Sequence, residues 1–475
     1  MTRSRWLRAS VAALVLASCA ATARAESSPG SSDVLQLDEV LRAVDRSFPL
    51  IQAALREQEE AQGALLSAEG AFDPSLRAAG TIEPIGGYPK QYLTAQAELP
   101  TTLWGSTFFA GYRYGSGKIP IYDGKLETND LGELRAGARV PLWRDGPIDR
   151  RRASMRQGEL GITLARLSAD QQRIDARRAA SIRYWDWVAA GRRLAVIQSW
   201  LALAVQRDAG LAVRAERGDI PEIDRTENQR TILQRETALI AAERDLAQAG
   251  VELALFFRTS DGASLSPSLV RLPNALPDAP PMDISSRSAE EARALAQRPD
   301  LKRFDLVRDR SRIDAELARN QQKPAIDVTL FGARQFGPGD PARGEPVAGA
   351  SIVLDIPILN RVQNGREQSA EAAIGKTEDQ KRFARDRAVA DIRASLLTIE
   401  ASQKRAVLAQ KEVQVATQLA QGELRRFELG EGNLLLVNLR EQATAEAALR
   451  EIDARADVHR AIASFRAATA RNGPP

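Results

Sequence analysis

The sequence contains very little of the chemistry that builds disulfide-rich domains or metal sites. Its 475 residues include one cysteine, Cys19, and one histidine, His459. A single cysteine excludes a disulfide framework within the chain, and this pair of residues does not make a metal cluster. His459 stands among Arg and Asp residues in the last helical segment, where we expect an ordinary surface or seam residue.

Net charge and catalytic motifs are also scarce. The 66 Lys and Arg residues nearly balance the 62 Asp and Glu residues, so the net charge of +4 gives no case for nucleic-acid binding. The sequence shows no P-loop, no G-x-S-x-G motif with a histidine to serve it, and no zinc-ligand spacing. We therefore expect no cofactor and no enzymatic activity.

Long apolar runs are missing after the N-terminal leader. Arg3, Arg5 and Arg8 precede a short apolar run at 9–17, which predicts a signal peptide over 1–25. Two processing sites remain open: A-x-A cleavage before Glu26, or lipoprotein processing at LASC (16–19), which would leave Cys19 acylated. Because no later segment reaches 18 consecutive apolar residues, we expect any membrane crossing to use β-strands.

What the sequence does have is an internal duplication. Two prolines at the same spacing occur in each half, and a third proline and a helix-breaking glycine follow in the same order: Pro49, Pro74, Pro141 and Gly218, then Pro299, Pro324, Pro357 and Gly430. Such self-similarity predicts one architecture built twice. We divide the chain into a first repeat at 26–256, a proline-rich linker at 257–287 and a second repeat at 288–475.

Each repeat contains alternating segments that predict strands. In the second, Ile326, Val328 and Leu330 share one face, opposite Asp327 and Thr329. The clear strand segments number two per repeat, but the first hairpin carries an insertion at about 74–142 with two further candidates, 92–99 and 106–114. The aromatic residues of the insertion predict either a belt at a membrane surface or a soluble loop: Tyr88, Tyr92, Trp104, Phe108, Tyr112 and Tyr114.

Two very long helices follow the strands. Residues 144–217 and 360–428 read as helical throughout, and about 70 residues make a rod of about 105 Å. The second rod carries two apolar stripes, which predict two neighbours, as in a ring of helices; a helix half-buried in a bundle is the alternative. One stripe comprises Ile392, Leu396, Ile399, Ala406 and Val413, and the other Leu397, Leu408, Val415 and Leu419.

Four strands cannot close a barrel alone, and an open sheet edge cannot face lipid. Three copies would give twelve strands and twelve helical columns. The duplicated order of helix, strands, long helix, glycine turn and return helix resembles the TolC-like outer-membrane efflux family across the whole mature chain. The resemblance is carried by RPDL (298–301), IVLDIPILNRVQNGR (352–366) and RRFELGEGNLLLVNLREQATAEAAL (425–449).

The resemblance implies a mixed α/β membrane protein. It would be a homotrimer with a 12-stranded transmembrane β-barrel, contacting outer-membrane lipid and continued by an antiparallel α-helical (coiled-coil) tunnel through the periplasm. Such a channel is a passive exit duct that docks a periplasmic adaptor (membrane fusion) protein and an inner-membrane pump. A secreted coiled-coil scaffold or a periplasmic adaptor is the alternative, although neither needs the alternating hairpins.

The same resemblance assigns roles to the helix breaks. It places the periplasmic tip turns and adaptor docking at Gly218, Asp219, Gly430, Glu431 and Gly432. It places the entrance constriction at Asp224, Leu436 and Leu439, where Leu436 departs from an acidic ring and predicts a more apolar gate at the second turn. The alternative for Asp224 is an ordinary solvated or salt-bridged carboxylate.

Overall fold

The computed structural model describes residues 34–120, 127–279 and 287–471, and the leader with Cys19 lies outside these ranges. Prolines begin matching elements in both halves, since Pro49 and Pro299 occupy the first turns of α2 and α6. The first half runs α1 (Leu37–Ser47), α2 (Pro49–Glu69), β1 (Ser75–Glu83), β2 (Lys90–Pro100), β3 (Thr107–Gly117), β4 (Glu133–Pro141), α3 (Arg150–Glu216) and α4 (Glu222–Ala254). The second runs α5 (Arg287–Gln297), α6 (Pro299–Gln321), β5 (Ala325–Gln335), α7 (Pro341–Gly344), β6 (Val347–Asp355), α8 (Arg361–Glu428) and α9 (Leu434–Ala468).

The strands form one antiparallel sheet in the order β1-β2-β3-β4-β5-β6. The two candidates in the insertion are strands β2 and β3, so the expectation of four strands per chain was too low. Strands β2 and β3 pair with each other along their full length, β2 pairs with β1 over residues 90–98, and β3 pairs with β4 over residues 107–113. Within the described chain, β1 and β6 each pair on one side only.

The long helices α3 and α8 organise the helical part of the molecule. Helices α2 and α4 both pack along α3, while α6 and α9 both pack along α8 and also contact α3. Two shorter helices thus line the same length as one rod. By length and composition, α3 contains an 18-residue window apolar enough to cross a membrane. Its contacts with α1, α2, α4, α6 and α9 instead make it the central helix of the bundle.

The core lies where the short helices meet the rods. Its larger cluster surrounds Trp187 and Val188 of α3, with Val40 and Val44 of α1 and Leu253 of α4. Full burial of an aliphatic side chain contributes about 1.5–3 kcal/mol, so this cluster dominates the packing of the first half. A smaller cluster joins α5, α8 and α9: Ala294, Ile392, Leu396, Ile399, Ala461 and Phe465.

The described part of the linker, residues 257–279, lies against the bundle. The amide of Leu35 donates to the Arg271 carbonyl at 2.8 Å, and the Tyr184 hydroxyl donates to the Leu35 carbonyl at 2.8 Å. Burial raises the pKa of Tyr184 to about 12. These bonds tie the chain before α1, the linker and α3 together.

Candidate functional site at the helical tips

The first helix-to-helix turn follows α3. Gly218 has φ +75, and the amides of Gly218 and Asp219 donate to the carbonyls of Ala215 (3.0 Å) and Arg214 (2.9 Å). This pair of bonds is a Schellman motif, which ends a helix and requires a left-handed residue that glycine adopts without a Cβ penalty. The chain then enters α4 through Pro221.

The second turn repeats that geometry after α8. Gly430 has φ +82, and the amides of Gly430 and Glu431 donate to the carbonyls of Phe427 (3.1 Å) and Arg426 (2.9 Å). A Cβ on Gly432 would lie 2.7 Å from the Phe427 nitrogen, so the backbone approach itself requires glycine there. The Asn433 side chain accepts from the Leu435 amide at 2.7 Å and caps α9.

The two turns lie side by side. The Arg214 guanidinium, one turn before Gly218, stands 5.6 Å from the ring centroid of Phe427, three residues before Gly430. The sequence prediction of two helical breaks is therefore met by two adjacent turns of the same design. All five tip residues lie at this end of the bundle.

The return helices differ in chemistry. Asp224 is the third residue of α4 and is half-buried, and Glu222 is also in the first turn, where a carboxylate is favoured by the helix dipole. Leu436 occupies the same position in α9 and is 40% exposed, while Leu439, one turn on, is 53% exposed. The adjacent Leu434 and Val437 are buried among the helices. The same backbone thus presents a carboxylate at one turn and leucines at the other.

A buried ion cluster lies about three turns above the tips. Glu441 of α9 accepts from Arg207 of α3 and, at 2.9 Å, from Arg235 of α4, so one carboxylate joins three helices. Arg207 also donates to the Asn438 side chain at 2.7 Å. The side chains of Arg235 and Glu441 are 1% and 7% exposed.

Burial lowers the pKa of Arg235, and the bond to Glu441 opposes that shift. Its guanidinium also donates to the Trp200 carbonyl and lies 4.5 Å from the Trp200 ring centroid. Sequence reasoning missed this cluster. No signal within a single helix marks it, because the burial of Arg235 and Glu441 depends on contacts among α3, α4 and α9.

The described residues contain no group of three or more His, Cys, Asp or Glu side chains that could hold a metal ion. The arrangement at the tips is therefore one of turns, exposed leucines and carboxylates. Its chemistry suits contact and gating.

Comparison with known proteins agrees with this geometry. Residues 292–471 match the protein family described as Outer membrane efflux protein. The fold is similar to the CmeC outer membrane channel of Campylobacter jejuni, at 14% identity and TM-score 0.65, over 91% of this chain and 85% of that chain. No curated protein sequence matches the chain.

Two other solved structures show the same likeness. The outer membrane protein VceC of Vibrio cholerae is 14% identical with TM-score 0.65, over 92% of this chain and 96% of that chain. The open state of the MtrE outer membrane channel of Neisseria gonorrhoeae is 15% identical with TM-score 0.63, over 91% and 88%. The likeness covers both halves of the chain.

The fold is shared with solved outer-membrane channels, and both long helical hairpins end in the same glycine turn. Residues 292–471 carry an outer-membrane efflux protein domain, which agrees with the sequence resemblance to the TolC-like outer-membrane efflux family. The family is one of transport ducts and not of enzymes, and it acts in the outer membrane.

Proposed function

We propose that this protein is the outer-membrane component of a tripartite efflux or secretion system. Three copies close their sheets into a transmembrane barrel and their helices into a periplasmic tunnel. The tip turns dock a periplasmic adaptor and an inner-membrane pump, which supplies the energy. Four helical columns per copy give twelve in the tunnel.

The main support for a ring of three copies is an apolar stripe on α8 that is exposed in the single chain. Of the two stripes predicted for this helix, the first packs within the chain, where Ile392, Leu396 and Ile399 are buried. The members of the second are each about half exposed or more: Leu397, Leu408, Val415 and Leu419. The first three are here called the α8 stripe. A rod with one bare apolar stripe needs a second neighbour.

A matching stripe lies on α4. Its members, the α4 stripe, are at least 64% exposed: Leu233, Ile240 and Val251. Counted along the chain, they follow Gly218 at the same separations at which Val415, Leu408 and Leu397 precede Gly430. Because the two turns lie side by side, each residue of one stripe has a partner at the same height on the other. The occupant of the α8 stripe is therefore the α4 stripe of a second copy.

The duplication supports this pairing. Aligning Gly218 with Gly430 makes the two long hairpins equivalent, so α4 corresponds to α9 and α8 to α3. Inside the chain α3 packs against α9, and Ala445, Ile452 and Ala463 are the counterparts of the α4 stripe. Ala445 and Ala463 are buried, and Ile452 packs on the core. The contact made once within a copy is thus made again between copies.

Cysteine crosslinking tests the ring. Ile240→Cys combined with Leu408→Cys places two thiols at one height on neighbouring copies, and oxidation should give a covalent trimer on denaturing gels. The matched control combines Ile240→Cys with Leu397→Cys, which lies about 16 Å off level along the helix axis, well beyond disulfide reach. Absence of a crosslink at the matched heights, or equal crosslinking of the control, would refute the pairing.

We assign docking and gating to the tips on their placement. Gly218, Asp219, Gly430, Glu431 and Gly432 form an exposed end of the bundle, open to an adaptor. Asp224, Leu436 and Leu439 stand in the first turns of the return helices, and we propose that they form the entrance constriction. Binding of a cognate adaptor should weaken on Asp219→Lys, and Gln234→Lys, at an exposed position further up α4, is the control.

A further inference from the structure

The sheet of this protein contains six strands, whereas a twelve-stranded barrel of three copies takes four strands from each copy. The order of the sheet places β2 and β3 between β1 and β4, so β1 pairs with β2 and not with β4. A hairpin lying outside the wall would leave β1 to pair with β4. The second hairpin is therefore an interior part of the sheet.

The length of these strands suits a membrane. Strands β2 and β3 have 11 residues each, as does β5, while β1, β4 and β6 have 9. A tilted strand of about 9–11 residues spans the hydrocarbon layer. The inserted hairpin is thus as long as the strands that both repeats share.

One face of the sheet is apolar across all six strands. The register aligns Leu76 with Ala97, Ala97 with Ala110, and Ala110 with Ala136 across β1 to β4. The same face continues as Val140 beside Val328 and Val328 beside Ile352 in β4 to β6. Its members include Leu76, Ile82, Leu93, Leu99, Phe108, Leu134, Leu330, Ile352 and Leu354, which are 45–76% exposed.

Arg334 is the charged residue on this face. It lies at the outer end of β5 opposite Leu134, and its guanidinium is 5.7 Å from the Phe336 ring centroid. A charge near an interface costs about 0–1 kcal/mol, against about 2–4 kcal/mol at the midplane. Its position is therefore compatible with a lipid-facing surface.

The opposite face carries the other charges, in nearly equal numbers of both signs. Strands β2 and β3 follow the rule of their neighbours, since Gln96, Glu98 and Arg113 lie on this face. Arg113 pairs with Glu133 of β4 at 2.6 Å. The alternation thus continues without a shift through the hairpin, and a shift of one residue would have reversed every side chain.

The base of the hairpin is fixed to the start of the helical part. Gly105 has φ +68, and a Cβ there would lie 2.5 Å from the Asp145 carbonyl oxygen. The Arg152 side chain donates to that same oxygen at 2.6 Å and pairs with Asp149. The turn between β2 and β3 therefore sits at the level where β4 passes into α3.

From these observations we propose that β2 and β3 are lipid-facing wall strands, and that three copies of six strands close an eighteen-stranded barrel. The eighteen-stranded barrel rests on the proposed function, because it assumes the ring of three copies. Strand β1 of one copy pairs with β6 of the next, and the apolar face of the hairpin contacts the hydrocarbon of the outer membrane.

The geometry of closure agrees. A barrel of eighteen strands about 4.8 Å apart and tilted about 40° has a circumference of about 110 Å, whereas twelve strands give about 75 Å. A ring of twelve helical columns about 9–10 Å apart has a circumference of about 110–120 Å. The wider barrel therefore continues the tunnel without a step, and the exit is as broad as the duct below it.

Paired cysteines decide whether the hairpin lies in the wall. Gln96→Cys and Ala97→Cys are neighbours on opposite faces of β2, and Arg135→Cys and Ala136→Cys are the matched pair in β4. In outer-membrane vesicles a membrane-impermeant maleimide should label the first member of each pair at least about tenfold faster than the second, because a thiol in an apolar layer ionises poorly. The unsubstituted chain, with Cys19 alone, is the background control.

The two pairs separate the possible failures. Alternation in β4 with equal labelling in β2 would place the hairpin outside the wall and overturn this inference alone. Equal labelling in both pairs would overturn the transmembrane wall itself, and with it the proposed function. Alternation in both supports the six-strand wall.

The strand count has a direct readout in the diameter of the wall. End-on electron micrographs of the detergent-extracted protein should show a wall about 36 Å across, and a twelve-stranded wall would measure about 24 Å. Deleting residues 84–115 joins β1 to the end of β3 with the alternation preserved, and should shrink the wall to the smaller value. A wild-type wall of the smaller diameter would overturn the proposal, whether or not the deletion variant folds.

Discussion

The two long hairpins, α3–α4 and α8–α9, have the same backbone and different surroundings. Around each turn the rod ends and the return helix begins at equivalent positions, and both turns use the same Schellman motif. Helix α3 has neighbours on both sides within the chain, whereas α8 keeps one stripe bare. The difference fits the proposed assembly, in which a duplicated chain uses one contact twice, first to fold and then to assemble.

The chemistry of the two contacts also differs. Within the chain, the α3–α9 contact contains the buried pair Arg207–Glu441. The equivalent positions in the proposed contact between copies are Leu419 and Gln229, which cannot form an ion pair. The internal contact thus contains buried charge, and we expect the contact between copies to depend on apolar area.

The largest effect should come from breaking that ion cluster. Glu441→Ala leaves Arg207 and Arg235 buried without a carboxylate, and we expect a loss of about 3–5 kcal/mol in the free energy of unfolding. The control is the equivalent position in the other repeat, where Gln229→Ala should change it by no more than about 0.5 kcal/mol.

Denaturant unfolding followed by tryptophan fluorescence measures both, since Trp200 contacts Arg235. If Glu441→Ala cost no more than Gln229→Ala, the cluster would not distinguish the two contacts.

Alanine substitution of the left-handed glycine should have the same effect at both turns. Gly218 and Gly430 have positive φ, and a Cβ at either would meet no atom within 4 Å. An alanine at either position should therefore destabilise the turn by about 1–2 kcal/mol through backbone strain alone. The amides at the tip should then exchange with solvent about 5- to 30-fold faster in hydrogen-exchange experiments. Gly432→Ala should disturb only the second turn, through its contact with Phe427. Unequal effects at Gly218 and Gly430 would show that the two tips are not equivalent.

Substitutions at the proposed entrance residues should have a smaller effect, on the ion selectivity of the channel. Asp224→Asn removes one carboxylate per copy and should lower the ratio of cation to anion permeability about two- to fivefold, as expected for an interaction of about 1 kcal/mol or less. Leu436→Asp should raise the same ratio by making the second turn resemble the first.

Reversal potentials in planar bilayers measure both changes, with Leu435→Asp as the neighbouring control. An unchanged ratio in Asp224→Asn would leave Asp224 as an ordinary solvated carboxylate and would exclude it from the constriction.

The sequence predicted the helices better than the sheet, for a physical reason. Each long rod repeats its pattern many times, and its ends are marked by prolines and by Gly218 and Gly430. The strands are short, and β2 and β3 have no counterpart in the second repeat against which to recognise them. Comparison between repeats therefore counted four strands, whereas the described residues form six.

The ion cluster was out of reach for another reason. Arg235 and Glu441 read as surface charges in their own helices, and their burial depends on the convergence of α3, α4 and α9. The tip turns, by contrast, are set by local backbone requirements that one glycine reveals. Local features were thus predictable, and features shared by three helices were not.

The smallest effect concerns His459, whose counterpart in the first repeat is Ala247. The expected seam residue is a buried one: its ring stacks on Trp185 at 3.9 Å, and Nε2 is 2.9 Å from the Pro277 carbonyl oxygen. Burial lowers the pKa of His459 below its ordinary value of 6.5, Arg455 acts in the same direction, and the Pro277 contact and Asp278 oppose it.

The folded protein therefore favours the neutral ring, and as the pH falls through 6.5 the unfolded chain takes up a proton before the folded chain does. The contribution of His459 to the free energy of unfolding should be constant above that pH. Below it, this contribution should fall by at most about 1.4 kcal/mol per pH unit. His459→Phe keeps the stacked ring and should abolish this part of the slope between pH 7.5 and 5.5 in denaturant unfolding. A variant with the slope of the wild type would show that other groups carry it, and that this seam does not distinguish α9 from α4.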